Sequence, residues 1–317
     1  MRKSIVSGLS AALIALFTTS AAAQDGGQVY EVEEVVVEGR RLDEAANLFV
    51  EQVADPAGNR GTARWDDGVC VGAANFTPEV AQYLVDRVSD LVRELGLTAH
   101  EPPCHPSILI MGTTDGAGFA RELVSRRPKL FIVGGSGMDQ GRAALNRFQS
   151  GEAPVRWWHV SVPVDDETGQ IAVRLPNMYS SRPTVENPFG RLMEEAHAPQ
   201  VRRNFASRLR QPLRDVMKRS YVIVDVDRLD GVTLEQLADY IAFVSLAQVD
   251  PEADLSRFDS ILNLFVPERR STGLSPWDLA YLEGLYTVRQ GYVGQHAQAS
   301  ALSRAILEAY TAGTEDR

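Results

Sequence analysis

Residues 69–112 constrain the fold more than any other stretch of this chain. Residues 69–74 read as a strand. Thr77-Pro78-Glu79 then opens a helix, with Thr77 placed to cap and Pro78 suited to the first turn. Val80, Leu84, Val88, Leu91, Val92 and Leu95 recur at helical spacing until Gly96 ends the pattern. Ser107-Ile108-Leu109-Ile110-Met111-Gly112 follows as a continuous apolar run of strand length. Strand, helix and buried strand in this order predict a parallel pair joined by a crossover helix, the opening of an α/β domain.

The chain has only two cysteines, Cys70 at the start of the first predicted strand and Cys104 just before the second. A bridge between them closes a loop of about 35 residues, worth about 4 kcal/mol on a chain-entropy argument. The rival arrangement is a metal site that adds His105, but two thiols and one nearby histidine do not complete four-ligand spacing. A disulfide requires an oxidising compartment, and the first residues point the same way. Arg2 and Lys3 precede a short apolar stretch over residues 5–17, and Ala21-Ala22-Ala23 before Gln24 fits a small-residue cleavage site. Residues 1–23 therefore read as a secretory signal, and the mature chain as periplasmic or secreted. No later segment offers about 20 uninterrupted apolar residues, so an integral membrane protein is not expected. Removing Arg2 and Lys3 with the signal takes the net charge from −10 to −12. That balance opposes nucleic acid as the main partner, because phosphate binding uses clustered Lys and Arg.

Residues 24–63 read by composition as a flexible acidic tail, residues 64–311 as a single folded domain and residues 312–317 as a C-terminal tail. Within the domain, residues 116–150 are helical with a Gly-rich break. Residues 156–163 and 170–175 suggest a strand pair around the turn at residues 165–169. Residues 176–200 form an irregular connection, 221–226 a buried strand, and 234–246 a helix capped by Thr233. Residues 276–289 and 296–311 supply closing helices.

Residues 238–250 read Ala-Asp-Tyr-Ile-Ala-Phe-Val-Ser-Leu-Ala-Gln-Val-Asp. Downstream lie Ser260-Ile261-Leu262-Asn263 and Leu274-Ser275-Pro276-Trp277-Asp278, continuing to Leu285-Tyr286. Together these resemble the zincin (metzincin-like) superfamily: a His-Glu-x-x-His-x-x-Gly helix, a Ser-Ile-Met-Asn turn and a Leu-Thr-x-x-Asp…Leu-Tyr helix. The resemblance implies a zincin-like α/β (α+β) domain, with a mixed twisted sheet and packed helices. It also implies lost chemistry. In an active zincin the two histidines, one helical turn apart, hold zinc, and the glutamate is general base on the metal-bound water. Here Ala238 and Ala242 stand at the histidine positions. Asp239 keeps an acid at the glutamate position with a shorter side chain, Ser245 replaces the glycine, and Leu262 replaces the methionine. The third ligand would fall near Val249 or Asp250. No catalytic residues, metal ligands or cofactor are expected.

Two segments suggest partners. Residues 32–41, Val-Glu-Glu-Val-Val-Val-Glu-Gly-Arg-Arg, are similar to the TonB box of outer-membrane receptors. That resemblance implies that Val35, Val36 and Val37 could add as an extended strand to a partner's sheet edge; the alternative is an ordinary edge strand or a disordered tail. Residues 202–219 are the one basic region, carrying Arg208, Arg210 and Arg214 with an apolar face. They read as a helix that could meet an envelope protein or an anionic surface, or simply as a solvated face. Smaller candidates carry less. Gly134-Gly135-Ser136-Gly137-Met138-Asp139 lacks the final glycine of a nucleophile elbow and the lysine of a P-loop. His197 near Glu194 and Glu195, His159 after Trp157-Trp158, and Asp225 with Asp227 complete the set. The expected function is an exported, non-catalytic binding or accessory module of the cell envelope. The alternatives are a hydrolase with a relocated site and a TonB-linked accessory factor.

Overall fold

The computed structural model describes residues 32–57, 60–131, 140–171, 213–290 and 295–315. The chain divides into two units, Met1–Gly39 and Arg40–Arg317. The described residues of the first, 32–39, are helical. The second is an α/β fold on a four-stranded mixed sheet. Its strands are β1 (Val71–Ala74), β2 (Ile108–Thr113), β3 (Val155–Asp165) and β4 (Leu213–Asp225), in the order β1-β2-β4-β3. The helices are α1 (Val32–Val53), α2 (Pro78–Glu94), α3 (Gly116–Arg126), α4 (Gly141–Ser150), α5 (Leu234–Leu246), α6 (Pro276–Thr287) and α7 (Gln295–Glu315).

The parallel opening predicted by the periodicity is present. β1 pairs in parallel with β2, from Val71 opposite Ile108 to Ala74 opposite Met111, and α2 is the crossover. Gly96 ends that crossover at φ +77°, a left-handed conformation that costs glycine little. Cys70 and Cys104 form the disulfide, their Sγ atoms 2.08 Å apart. Both thiols are consumed, which removes the Cys/His metal reading. β2 pairs in parallel with β4, and β3 closes the sheet antiparallel to β4 with a bulge at Val160/Ser161.

Period-two alternation along these strands feeds two separate cores. Ile108, Ile110, Val155, Trp157, Val222 and Val224 face the larger one, which also holds α2 and α5. Met111, Trp158, Val160, Tyr221 and Ile223 face the other, with Ala120, Phe131 and Phe148. The sheet is thus covered on both faces, as parallel pairing requires.

The flexible tail expected over residues 24–63 needs correction. From Val32 the chain is helical, and Ala46, Phe49, Val50 and Val53 are core residues at i, i+3, i+4 and i+7 spacing. Phe49 meets Phe258, Trp277 and Tyr281 at ring-centroid distances of 5.0, 5.6 and 5.9 Å. The TonB-like residues Val35, Val36 and Val37 lie within this helix, not in an extended segment. At the other end, α7 continues into the expected C-terminal tail as far as Glu315.

Residues 60–65 are threaded through the interior by polar contacts. Arg60, 3 % exposed, donates to the Ser161 carbonyl at 3.1 Å and to Ser161 Oγ at 2.6 Å, and pairs with buried Asp215 at 3.4 Å. Gly61 N–H donates to Asp215, Ala63 N–H to Gln248, and Thr62 N–H to Gln298. Arg64 donates to three carbonyls, those of Leu285, Tyr286 and Val288, at 2.7–2.8 Å. Those carbonyls are at the end of α6, where a cation also complements the helix dipole.

Replacing Arg60 by Ala leaves Asp215 buried without its guanidinium. We expect a loss of about 3–5 kcal/mol, read as a lower urea midpoint. A loss below about 1 kcal/mol, the range of an exposed pair, would show that the pair is peripheral. Cys70→Ser with Cys104→Ser should cost about 4 kcal/mol by the same measurement.

Candidate functional site

The helix that resembles the zincin catalytic helix is part of the core. α5 begins with a capping box: Thr233 Oγ1 accepts from Gln236 N–H, and Gln236 Oε1 accepts from Thr233 N–H. Its sequence is then apolar on nearly every side, so the helix packs all round. Ala238 and Ala242 are fully buried, as are Ile241, Phe243 and Val244. Asp239 pairs with Arg87 of α2 at 2.5 Å and accepts from Leu274 N–H at 3.1 Å. Ser245 and Val249 are also buried. Zinc does not fit these residues: two methyl groups stand where ligands are needed, and the one acid is held in an ion pair.

The downstream segments meet through one carboxylate. Asp278 accepts from Ser260 Oγ at 2.6 Å, Ile261 N–H at 2.7 Å and Ser275 N–H at 2.9 Å. Ser275 in turn caps α6 by accepting from Asp278 N–H. The Ser-Ile-Leu-Asn turn and the Leu-Ser-Pro-Trp-Asp helix are therefore one buried unit. Burial pushes the Asp278 carboxyl up to about 6 despite these donors. His159, on the larger-core side of β3, donates from Nε2 to the Val244 carbonyl at 2.7 Å. Burial holds its imidazole down to about 4, so it is a neutral core residue that joins strand to helix.

Strand β3 is at the sheet edge, but two of its carbonyls are already occupied. Gln140 Nε2 donates to His159 O, and Arg60 Nη1 donates to Ser161 O. Every residue of β3 is buried. Side chains thus protect an edge that a peptide strand could otherwise extend.

The other sequence candidates are dispersed. Arg208, Arg210, His197, Glu194, Glu195 and the Gly-rich residues 134–139 lie outside the described residues. From Leu213 the basic segment is strand β4, not a helix: Tyr221, Val222, Ile223 and Val224 alternate between the two cores, and Val216 packs in a smaller cluster with Val162 and Val164. Arg214 pairs there with Asp66, and with Asp166 at 3.4 Å. His100 and His105 are exposed. Asp225 accepts from Gly116 N–H and pairs with Arg228 at 3.5 Å, while Asp227 lies in the following 3₁₀ turn. Asp225 therefore positions α3. Among the described residues, no group of three His, Cys, Asp or Glu side chains is arranged to hold a metal ion, and no helix is long and apolar enough to cross a membrane.

A cavity of about 230 Å³ lies between α4, the start of β3 and the segments around Asp55 and Glu252. Phe148, Trp157 and Trp158 supply its aromatic lining. Trp157 Nε1 donates to Val249 O at 3.2 Å, which ties the strand to the segment beyond α5. The polar lining includes Asp55, Arg147, Arg156 and Glu252. Arg147 pairs with Glu252 at 3.6 Å, and Arg156 donates to the carbonyls of Phe148, Gly151 and Ala153. Burial raises the Asp55 pKa, and the charges of Asp250 and Glu252 add to the rise while Arg147 opposes it. The lining hydroxyl, Ser150, donates to Asn146 O, and no described lining residue is a histidine or cysteine. Apolar rings beside charged groups can hold a ligand that has an apolar body and a polar end. Sequence reading missed the cavity because its polar residues come from three distant segments; the tandem Trp157-Trp158 was the available signal.

Comparison with known families, with curated proteins and with solved structures returns no match for this chain.

The two buried titrating groups oppose each other. As pH falls from 6.5 to about 4, unfolded chains protonate His159 and native chains do not, so stability declines. As pH falls from about 6 to 3.8, native chains protonate Asp278 first, so stability rises. Each effect is about 3 kcal/mol. Relative to the parent, Asp278→Asn should therefore lose stability more steeply between pH 6 and 4, and His159→Gln less steeply, in urea melts. Parallel pH profiles for all three proteins would overturn these assignments.

Proposed function

We propose that this protein is an exported, non-catalytic zincin-like module that acts by binding in the cell envelope. One observation carries the reading. Ala238 and Ala242, at the positions of the zinc-binding histidines, are fully buried core residues, and the adjacent acid Asp239 holds Arg87 and the backbone before α6. A helix so placed serves as a structural beam. The hydrogen bonds that join Ser260, Ile261 and Ser275 to Asp278 support the resemblance, since they link the two downstream segments that carry it. The disulfide and the signal-like residues 1–23 support export. The aromatic cavity beside β3 gives the module a place to bind, and the protected carbonyls of β3 favour a ligand other than an added peptide strand.

The test is the metal content of the purified mature protein after incubation with zinc and washing with a weak chelator. Elemental mass spectrometry should find no stoichiometric zinc. Close to one zinc per chain would overturn the reading.

A further inference from the structure

The cavity beside β3 has a charge pattern that selects a ligand class. Its volume of about 230 Å³ exceeds that of the roughly 150 Å³ apolar cavities that accept benzene. An aromatic ring with a short side arm is therefore of suitable size. Most of the charged groups in the lining have partners within the protein. Arg147 pairs with Glu252, Arg156 is held by three carbonyls, and Glu152 pairs with Arg228 at 3.9 Å. Asp55 differs: its backbone N–H donates to Gln248 O, but among the described residues its carboxylate has neither a hydrogen-bond donor nor an ion pair.

From this geometry we infer that the cavity binds a small organic cation, an aryl or alkyl ammonium, with its charge on Asp55 and its apolar body against Phe148, Trp157 and Trp158. A half-buried carboxylate regains in such a ligand the stabilisation it lost with water, and the aromatic lining takes the apolar body out of water. The raised Asp55 pKa has the same origin, since burial and the charges of Asp250 and Glu252 all disfavour an uncompensated anion. An anionic ligand would meet the lining acids Asp55, Glu152 and Glu252, opposed by Arg147 and Arg156, which already have partners. This assignment is independent of the zincin-like resemblance, because neither α5 nor the segments around Asp278 line the cavity.

Three probes of one shape separate the contributions: phenethylammonium, phenethyl alcohol and phenylacetate, titrated into the full mature protein and followed by tryptophan fluorescence. Phenethylammonium should bind at least tenfold more tightly than the alcohol, and phenylacetate should not saturate. Asp55→Asn, which keeps the side chain's shape, should reduce the preference for the cation to less than about threefold while leaving alcohol binding unchanged. Ala144→Phe, which adds bulk to the lining from α4 and leaves Asp55 itself unchanged, should abolish binding of both. Near-UV circular dichroism confirms that each variant is folded. Equal binding of the three probes, no saturable binding of phenethylammonium, or full cation preference in Asp55→Asn would each overturn the assignment.

Discussion

The buried ion pair between Arg60 and Asp215 is the constraint on which the rest of the fold depends. Both charges are almost wholly removed from water. Such a pair is stable only when further hydrogen bonds satisfy the remaining donors and acceptors. The interior provides them through Ser161 of β3 and Gly61 N–H, and the bonds of Thr62 N–H to Gln298 and Ala63 N–H to Gln248 continue the network from there. One network therefore joins the chain after α1, both antiparallel strands, the end of α5 and the last helix. Gln248 connects its parts by accepting from Ala63 N–H while donating to Ser161 Oγ. Arg64 extends the same logic by collecting the free carbonyls at the end of α6. A segment with little apolar surface of its own thus becomes an interior strap.

The strap helps explain why α5 can be so apolar. A helix bearing Leu237, Ala238, Ile241, Ala242, Phe243, Val244 and Leu246 needs cover on nearly all sides. The sheet and α2 cover part of it, and Trp65, immediately after the strap, donates its indole N–H to the Ser245 carbonyl. The residues that make α5 unfit for zinc are the ones that let it pack closely. Small alanines admit neighbouring side chains where imidazoles would need space and solvent. Asp239, by its place in the helix, meets Arg87 at the margin of this packing.

Local patterns were legible where the physics is local. The crossover pair was readable because α2 and its strands differ in hydrophobic period, and because Thr77, Pro78 and Gly96 punctuate the helix. The disulfide followed from having two cysteines. The capping of α5 by Thr233 was readable for the same reason, since a cap concerns residues three apart. The second half of α1 was misread because its acidic and Gly/Pro-rich surroundings outweighed the four-residue stripe of Ala46, Phe49, Val50 and Val53. The basic stretch at residues 213–219 was read as a helix face because charge was weighed there and the two-core alternation of β4 was not.

By itself the sequence determined which segments alternate, which recur at helical spacing, and that Ala238 and Ala242 cannot hold a metal. Each of these depends on residue type or on neighbours within a few positions. Only the tertiary structure decided that Arg60 meets Asp215, that Asp278 binds two segments into one unit, and that Asp55 shares a cavity with Trp157 and Trp158. Those placements arise from partners tens to more than a hundred positions apart. A buried charge or a cavity wall is set by what the whole chain brings to it, and no local pattern carries that information.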